Sequence, residues 1–112
     1  MEKEAFAGRR GRFRNQRWIG VTPNLITLKP RGTPMSSLEV LEIRVEEMEA
    51  MRLVDLEGHD LTEASKMMGV SRRTLTRDLK EGRRKTAEAL VMSKAVVVRG
   101  GDYEIRKVED KE

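Results

Sequence analysis

The sequence contains no cysteine and a single histidine, His59. The absence of cysteine excludes disulfide bonds, thiolate metal sites and cysteine nucleophiles. His59 lies in a predicted linker, and no cysteine or second imidazole accompanies it to share a metal ion or a proton-transfer role. We therefore expect neither a metal site nor a cofactor.

Long hydrophobic runs are also missing. The longest aliphatic run, residues 95–98, is far too short to cross a bilayer, and residues 1–18 lack the apolar segment of a signal peptide. These two absences favour a cytoplasmic protein.

Aromatic side chains are scarce: they make up 4% of the 112 residues, whereas charged side chains make up 38%. A chain of this length has room for one modest core. Few aromatics and many charges favour a thin-cored helical domain over a sandwich or barrel. The predicted fold class is mainly α, in a single domain.

The formal net charge of +4 is unevenly distributed along the chain. Residues 1–18 carry six basic and two acidic side chains (+4), residues 38–57 two basic and seven acidic (−5), and residues 72–85 seven basic and two acidic (+5). Such blocks produce strong local positive fields that attract polyanions. An ordinary solvated surface is the alternative interpretation of the same charges.

Residues 1–20 are rich in arginine and glycine and show little periodicity, which predicts a flexible basic arm. Phe13 and Trp18 lie among the arginines, so the arm could follow DNA phosphates or enter a minor groove. A disordered basic tail without a specific role is the alternative. The arginines assigned to the arm are Arg9, Arg10, Arg12, Arg14 and Arg17.

Short β-prone runs border the centre of the chain. Residues 25–28 predict a strand, closed by a turn that contains two prolines. Residues 95–99 and 103–106 predict a β-hairpin around Gly100-Gly101-Asp102, and residues 107–112 predict a frayed charged tail. The predicted domain therefore spans residues 21–106.

Three helices are predicted, over residues 45–57, 62–68 and 72–92. Gly58 is a natural C-cap for the first helix; Thr62 with Glu63 is a plausible start for the second, and Ser71 a good N-cap for the third. The apolar residues of the first helix fall on two sides, so we expect it to pack against the following helices and also against the N-terminal segment or a second subunit. The two sets are Ala50, Leu53 and Val54 on one side, and Val45, Met48 and Met51 on the other.

Residues 61–79 have the spacing of a helix-turn-helix. Such a unit needs a small residue where its helices cross, which Ser65 supplies, and a glycine at the turn, which is Gly69. The contacts that join its two helices are expected from Ala64, Met68, Val70, Leu75 and Leu79.

The third predicted helix separates a core face from a basic face. Apolar or small residues recur in one stripe, at Leu75, Leu79, Gly82, Thr86, Ala89 and Leu90. The opposite side carries a basic ridge of Arg73, Arg77, Lys80 and Arg84, with Thr76 beside it. The alternative is a solvated helix whose arginines pair with Asp78, Glu81 and the acidic first helix.

Only the first turns of so long a helix can fit into a major groove. The candidates for contact with base edges are Arg72, Arg73, Thr74, Thr76 and Arg77. The candidates for contact with phosphates are Thr62, Lys66, Ser71, Lys80, Arg83 and Arg84.

No group of residues predicts catalysis. Glu46, Glu47 and Glu49 lie early in a helix, where carboxylates favour the N-terminal dipole, and no catalytic partner accompanies them. Gly100-Gly101 is not followed by the Lys-Ser/Thr of a phosphate loop. We expect the protein not to be an enzyme.

From about Ile26 to Tyr103 the chain resembles a family of short prokaryotic predicted DNA-binding proteins, domain-of-unknown-function family 134. The matching motifs are Leu28-Lys29-Pro30 with Gly32 and Pro34, Glu47-Met48-Glu49-Ala50-Met51-Arg52-Leu53 with Asp55-Leu56-Glu57-Gly58, Met68-Gly69-Val70-Ser71-Arg72, Arg84-Lys85 to Ala89-Leu90, Lys94-Ala95 and Gly100-Gly101.

The resemblance implies a helix-turn-helix like region four of sigma factors, recognition of duplex DNA and a regulatory role. The chain departs from its relatives in three respects. It lacks the cysteines that many of them carry in the N-terminal segment, and it has Arg44 where a hydroxyl cap is expected before the first helix. It also has Arg73 and Leu75 where an amide and an aromatic are frequent, so the DNA sequence that it reads is expected to differ.

The sequence thus predicts a mainly α helix-turn-helix domain with a short N-terminal strand and a C-terminal hairpin, which binds double-stranded DNA as a transcriptional regulator. One recognition helix buries little surface, so useful affinity favours a symmetric homodimer on paired half-sites or additional contacts from the basic arm. Of these, we expect the homodimer. Two alternatives stay open: an interaction module of the transcription machinery and a structured-RNA binder.

Overall fold

Three helices and five short strands make up the part of the chain that the computed structural model describes, residues 16–20, 27–101 and 103–105. The helices are α1 (Val45–Met51, continued by a π-helical segment over Arg52–Leu56), α2 (Leu61–Met68) and α3 (Arg72–Met92). The strands are β1 (Arg17–Ile19), β2 (Thr27–Leu28), β3 (Val40–Ile43), β4 (Ala95–Val98) and β5 (Tyr103–Ile105), with a 3₁₀ turn at Met35–Ser37. The fold is therefore a small mixed domain. None of the described helices combines the length and the apolar character that a membrane span requires.

The helix predictions are largely confirmed. The bounds of α3 are those predicted, and the Ser71 hydroxyl caps it by accepting a hydrogen bond from the Thr74 backbone N–H at 3.1 Å. The start of α2 is corrected, because Asp60 and not Thr62 is its N-cap. The Asp60 carboxylate accepts from the Glu63 backbone N–H at 2.8 Å, and the Glu63 carboxylate accepts from the Asp60 N–H at 3.1 Å.

The C-terminal hairpin prediction is wrong. Strand β4 lies at the centre of a three-stranded sheet, antiparallel to β2 and parallel to β3, whereas β5 pairs in parallel with β1. Gly100 and Gly101 carry the chain across the start of α1: the Val45 N–H donates to the Gly100 carbonyl at 3.0 Å, and a Cβ at Gly101 would overlap the Glu46 carboxylate. The two glycines therefore allow the backbone to pass close to the start of α1, and they do not form the turn of a hairpin.

The assignment of residues 17–20 to the flexible arm is also corrected. Residues 17–19 are strand β1, and both Arg17 and Ile19 are buried. Ile19 joins the core, and the Arg17 guanidinium pairs with Asp78. This segment is therefore part of the folded domain. The arm arginines Arg9, Arg10, Arg12 and Arg14, the first part of the predicted strand 25–28, and the tail 107–112 lie outside the described residues.

Two apolar clusters share helix α1, as its two-sided pattern predicts. One cluster joins α1 to α2 and α3 through Ala50, Leu53, Ala64, Met68, Leu75 and Leu79. The other joins α1 to the strands and to the end of α3 through Ile19, Ile43, Val45, Ala89, Val96 and Val98. Met51 packs against both clusters. Helix α1 therefore packs between helices α2 and α3 on one side and the strands on the other.

The predicted core stripe of α3 is correct at four of its positions and wrong at two. Leu75, Leu79, Gly82 and Ala89 are buried, whereas Thr86 and Leu90 are exposed. Strands β3 and β4 cover the side of the helix that carries Ala89, and Leu90 points about 100° away from it because adjacent helical residues differ by that angle.

Gly69→Ala is expected to destabilise the protein more than Gly58→Ala. Both glycines have a positive φ, +69° and +83°, so both substitutions cost about 1 kcal/mol in backbone strain. A Cβ at position 69 would also lie 2.6 Å from the Trp18 indole, whereas nothing lies within 4 Å of one at position 58. Urea unfolding should show an extra loss of about 1–3 kcal/mol for Gly69→Ala. Equal losses would contradict the Trp18 contact.

Asp78→Asn is expected to lower the free energy of unfolding by about 3–5 kcal/mol, because it removes the negative charge that faces the buried Arg17 guanidinium. The double variant Arg17→Met/Asp78→Leu removes both charges and should recover most of that loss. Denaturant unfolding of the two variants and the wild type measures both effects. A single variant as stable as the wild type would show that the pair does not hold β1 on α3.

Candidate nucleic-acid interface

A basic surface covers the first half of α3. Five side chains line one shallow concavity there: Arg72, Arg73, Thr76, Arg77 and Lys80. These positions recur every three to four residues, so they share one side of the helix. Four of the five are the predicted base-edge candidates, and the fifth is the predicted phosphate contact Lys80. We call this set the basic face.

The rotation of α3 that exposes the basic face is set by packing. Leu75 and Leu79, which alternate with the cations along the helix, are buried against α1 and α2. Asp78 is also turned inward, where it accepts hydrogen bonds from Arg17 Nε at 3.0 Å and Nη2 at 3.2 Å. Glu81, the other carboxylate in this half of the helix, pairs with Arg84. Burial, with a smaller contribution from Glu46 and Glu47, raises the pKa of Asp78 above its ordinary value, and the Arg17 guanidinium offsets only part of this rise. The Asp78 carboxylate is therefore kept away from the basic face.

The cations of the basic face are not neutralised by the fold. In the described part of the chain, no ion pair or hydrogen bond engages the side chains of Arg72, Arg73, Arg77 or Lys80. Four exposed cations on one helix face that form no ion pair with the described residues repel one another. This arrangement favours a bound polyanion, which would relieve the repulsion.

The cations in the second half of α3 are paired. Arg83 binds Asp55 in a bidentate ion pair at 2.6 and 3.1 Å, and its hydrogen bonds lower the pKa of Asp55. Arg84 pairs with Glu81 at 3.2 Å and with Glu88 at 3.0 Å. The predicted phosphate candidates Arg83 and Arg84 thus lie outside the basic face, with their charges compensated.

Lys85, the next cation, is held even more firmly. It donates to the Glu47 carboxylate and to the Glu42 carbonyl, both at 2.9 Å. The seven basic side chains counted in residues 72–85 therefore divide into four that form no ion pair with a described residue and three that do. The sequence count alone could not separate them.

The remaining predicted contacts lie around the turn between α2 and α3. Thr62 and Lys66 are exposed on α2, and no described residue forms an ion pair with Lys66. Ser71 and Thr74 bond to each other through their hydroxyls at 3.2 Å, so Thr74 serves the cap of α3 and does not line the basic face. The first turn of α3 contains no acidic residue, which leaves its positive dipole end uncompensated.

The acidic first helix does not offer an acidic surface. Glu46 and Glu49 are each 1% exposed and Glu47 is buried as well. The Glu46 carboxylate pairs with Arg44 at 2.9 Å, and Glu49 accepts from Arg52 at 2.8 Å and from the Gly20 N–H at 2.9 Å. Because the apolar residues of α1 occupy two sides, the carboxylates between them are covered. The helical spacing contains that signal.

The prediction that Trp18 belongs to the flexible arm is wrong, because this residue lies in β1, against the turn between α2 and α3. Its indole lies against Gly69, the residue that turns the chain from α2 to α3 with a left-handed φ of +69°. Trp18 therefore supports the turn from outside, and β1 reaches the same region through Arg17. The only signal in the sequence was an isolated tryptophan among arginines.

Metal ligation finds no support in the described residues, among which no group of three or more His, Cys, Asp or Glu side chains could hold an ion. His59 lies 3.3 Å from Glu57 and 3.6 Å from Glu63, in the loop before α2. The chemistry that this surface can supply is therefore electrostatic binding and hydrogen-bond donation.

Comparison with known proteins identifies relatives over most of the chain. The family described as "Protein of unknown function DUF134" matches residues 7–106. A "UPF0251 protein" of Methanosarcina acetivorans is 47% identical over 94 residues, covering 84% of each chain. A second, from Thermoanaerobacter sp. (strain X514), is 45% identical over 95 residues, covering 85% of this chain and 84% of the relative. No solved structure matches the chain significantly. With a family match over nearly its whole length, the chain belongs to the DUF134 family.

Proposed function

We propose that this protein is a cytoplasmic, non-catalytic regulator of transcription that binds double-stranded DNA through the basic face of α3. The observation that carries the proposal is the division of charge on that helix. Arg72, Arg73, Arg77 and Lys80 are exposed without an acidic partner in the described chain, and the carboxylates nearest in sequence are buried or paired elsewhere.

Helices α2 and α3 have the features of a helix-turn-helix. Helix α2 ends at Gly69 in the left-handed conformation, and α3 begins two residues later with its Ser71 cap. Ala64, which is small and buried, packs between the helices together with Met68, Leu75 and Leu79, and Ser65 beside it is also buried. In such units the second helix enters the major groove. The resemblance to region four of sigma factors supports the same assignment.

The roles of the individual residues follow from their positions. Arg72, Arg73, Thr76 and Arg77 occupy the first turns, which can reach base edges and the nearest phosphates. Lys80 lies farther along and is assigned to the phosphate backbone, with Thr62, Lys66 and Ser71 as flanking phosphate contacts. We do not assign Arg83 and Arg84 to the initial contact because carboxylates already compensate them.

The alternatives receive less support from the described residues. A protein-interaction module that uses an acidic α1 needs exposed carboxylates there, whereas Glu46, Glu47 and Glu49 are buried. An A-form RNA duplex has a major groove too narrow to admit a helix. Duplex DNA is therefore the ligand that best fits a basic helix face of this shape.

Replacement of two cations on the basic face is expected to weaken DNA binding, whereas replacement of two paired cations on the same helix is not. We compare Arg73→Ala/Arg77→Ala with the control Arg83→Ala/Arg84→Ala, which removes the same charge farther along α3. Fluorescence anisotropy of a labelled mixed-sequence duplex, repeated across salt, measures both. For the wild type we expect log K to fall against log salt with a slope of about −4 to −5, given about five neutralised phosphates.

The first double variant should bind more weakly and with a slope shallower by about 2, whereas the control should stay close to the wild type. Absence of binding at low salt, or equal loss in the two double variants, would contradict the assignment of the basic face. In that case net charge alone, or a protein partner, would account for the surface.

Duplex DNA is also expected to compete better than duplex RNA of the same sequence. At matched salt, unlabelled DNA should displace the labelled DNA at lower concentration, because the B-form major groove admits α3 and the A-form groove does not. Equal competition by the two duplexes would indicate backbone binding without groove entry. Better competition by RNA would favour the structured-RNA alternative.

A further inference from the structure

An apolar groove lies between α1 and the second half of α3, beyond the basic face. It is lined by Met48, Met51 and Leu56 on one side and by Ala87 and Leu90 on the other, with Arg52, Asp55, Arg83 and Thr86 at its rim. Leu90 is 82% exposed and Leu56 is 79% exposed. Two projecting leucines beside an apolar concavity form a contiguous patch of the kind that marks an interaction surface.

We propose that this groove is the contact between two copies of the chain, related by a twofold axis near Ala87. The shape suits a self-complementary interface, because a projecting side chain and a concavity occur on the same surface. In a twofold pair, Leu90 of each copy enters the groove of the other, and both copies use the same patch.

The charges around the groove also fit a second copy. The rim carries the Arg83–Asp55 pair and Arg52 beside Glu57, so acidic and basic groups are balanced. A polyanion would need an excess of cations there, as on the basic face, and a strongly charged peptide would need an excess of one sign. A balanced rim matches a copy of itself, since each Arg83 can face an Asp55 of the other molecule as well as its own.

The position of the groove on α3 agrees with this pairing, an argument that rests on the proposed DNA-binding function. From Thr76, in the middle of the basic face, to Ala87 the helix advances about 16 Å. Two α3 helices that run antiparallel through a twofold axis at Ala87 therefore place their basic faces about 33 Å apart. Successive major grooves on one side of a duplex are about 34 Å apart. The same contact that buries the leucines would set the spacing of two half-sites.

Sedimentation equilibrium of the full chain without DNA tests the contact directly. We compare the wild type with Leu90→Glu and with the control Met92→Glu. The control adds the same charge two residues along α3, on nearly the opposite side of the helix, at a side chain that is also exposed. The wild type and the control should be dimers at micromolar concentration. Leu90→Glu should raise the dimer dissociation constant at least about tenfold.

A second variant, Leu56→Glu, places the charge on the opposite side of the groove and should weaken the dimer similarly. Because Leu56 and Leu90 are both exposed, neither substitution should change the thermal unfolding of the monomer. A monomeric wild type, or groove variants that dimerise as the wild type does, would overturn the proposal and leave the groove to another partner. Low-salt binding of the mixed-sequence duplex by Leu90→Glu distinguishes the two proposals. If Leu90→Glu is a monomer that still binds the duplex, both proposals are supported. If all the variants, including Met92→Glu, fail to bind the duplex, the result counts against the DNA-binding function alone.

Discussion

The buried ion pair between Arg17 and Asp78 fixes the relation between the N-terminal strand and α3 on which the rest of the surface depends. Taking two charges out of water is costly, so such a pair is a weak source of net stability and a strong constraint on geometry. It turns the Asp78 carboxylate inward and draws β1 onto the helix. Trp18, the next residue, lies against the turn at Gly69. The basic face is cationic because this constraint turns Asp78 away from it and because Glu81 pairs with Arg84.

Helix α1 holds the two halves of the fold together. Its apolar residues face the paired helices α2 and α3 on one side and the strands on the other, and its glutamates are held between them by Arg44, Arg52 and Lys85. A chain with few aromatics thus obtains two small clusters from one shared helix, instead of one large core. The ion pairs along α1 and the second half of α3 leave the basic face as a cluster of four cations that form no ion pair with the described residues.

The parts of the fold that depend on local physics could be predicted from the sequence. Helix α3 follows from its Ser71 cap and its helical periodicity, and the left-handed turn follows from Gly69. The cations of the basic face follow from the spacing of Leu75 and Leu79, because burying those two residues turns Arg73 and Arg77 outward. Each of these features is decided within a few residues of the chain.

The parts that depend on distant partners could not be predicted. Nothing near residues 95–106 shows that β4 pairs with β2 and β3 while β5 pairs with β1, because those partners lie far away in the chain. Arg17 resembles the other arginines of the N-terminal segment until Asp78 is placed beside it. Arg83 and Arg84 differ from Arg73 and Arg77 only through Asp55, Glu81 and Glu88. Leu90 belongs to the helical stripe, yet no strand covers it.

The central claim is that folding commits the second half of α3 to internal ion pairs and leaves its first half to bind a DNA duplex. Nuclear magnetic resonance of the ¹⁵N-labelled protein, titrated with a mixed-sequence duplex at low salt, tests it residue by residue. The claim predicts that the backbone amide and arginine Nε–H signals of Arg72, Arg73 and Arg77 shift most, with those of Arg83 and Arg84 close to their free positions. Shifts concentrated on α1 or on the second half of α3, or none at saturating duplex, would contradict it.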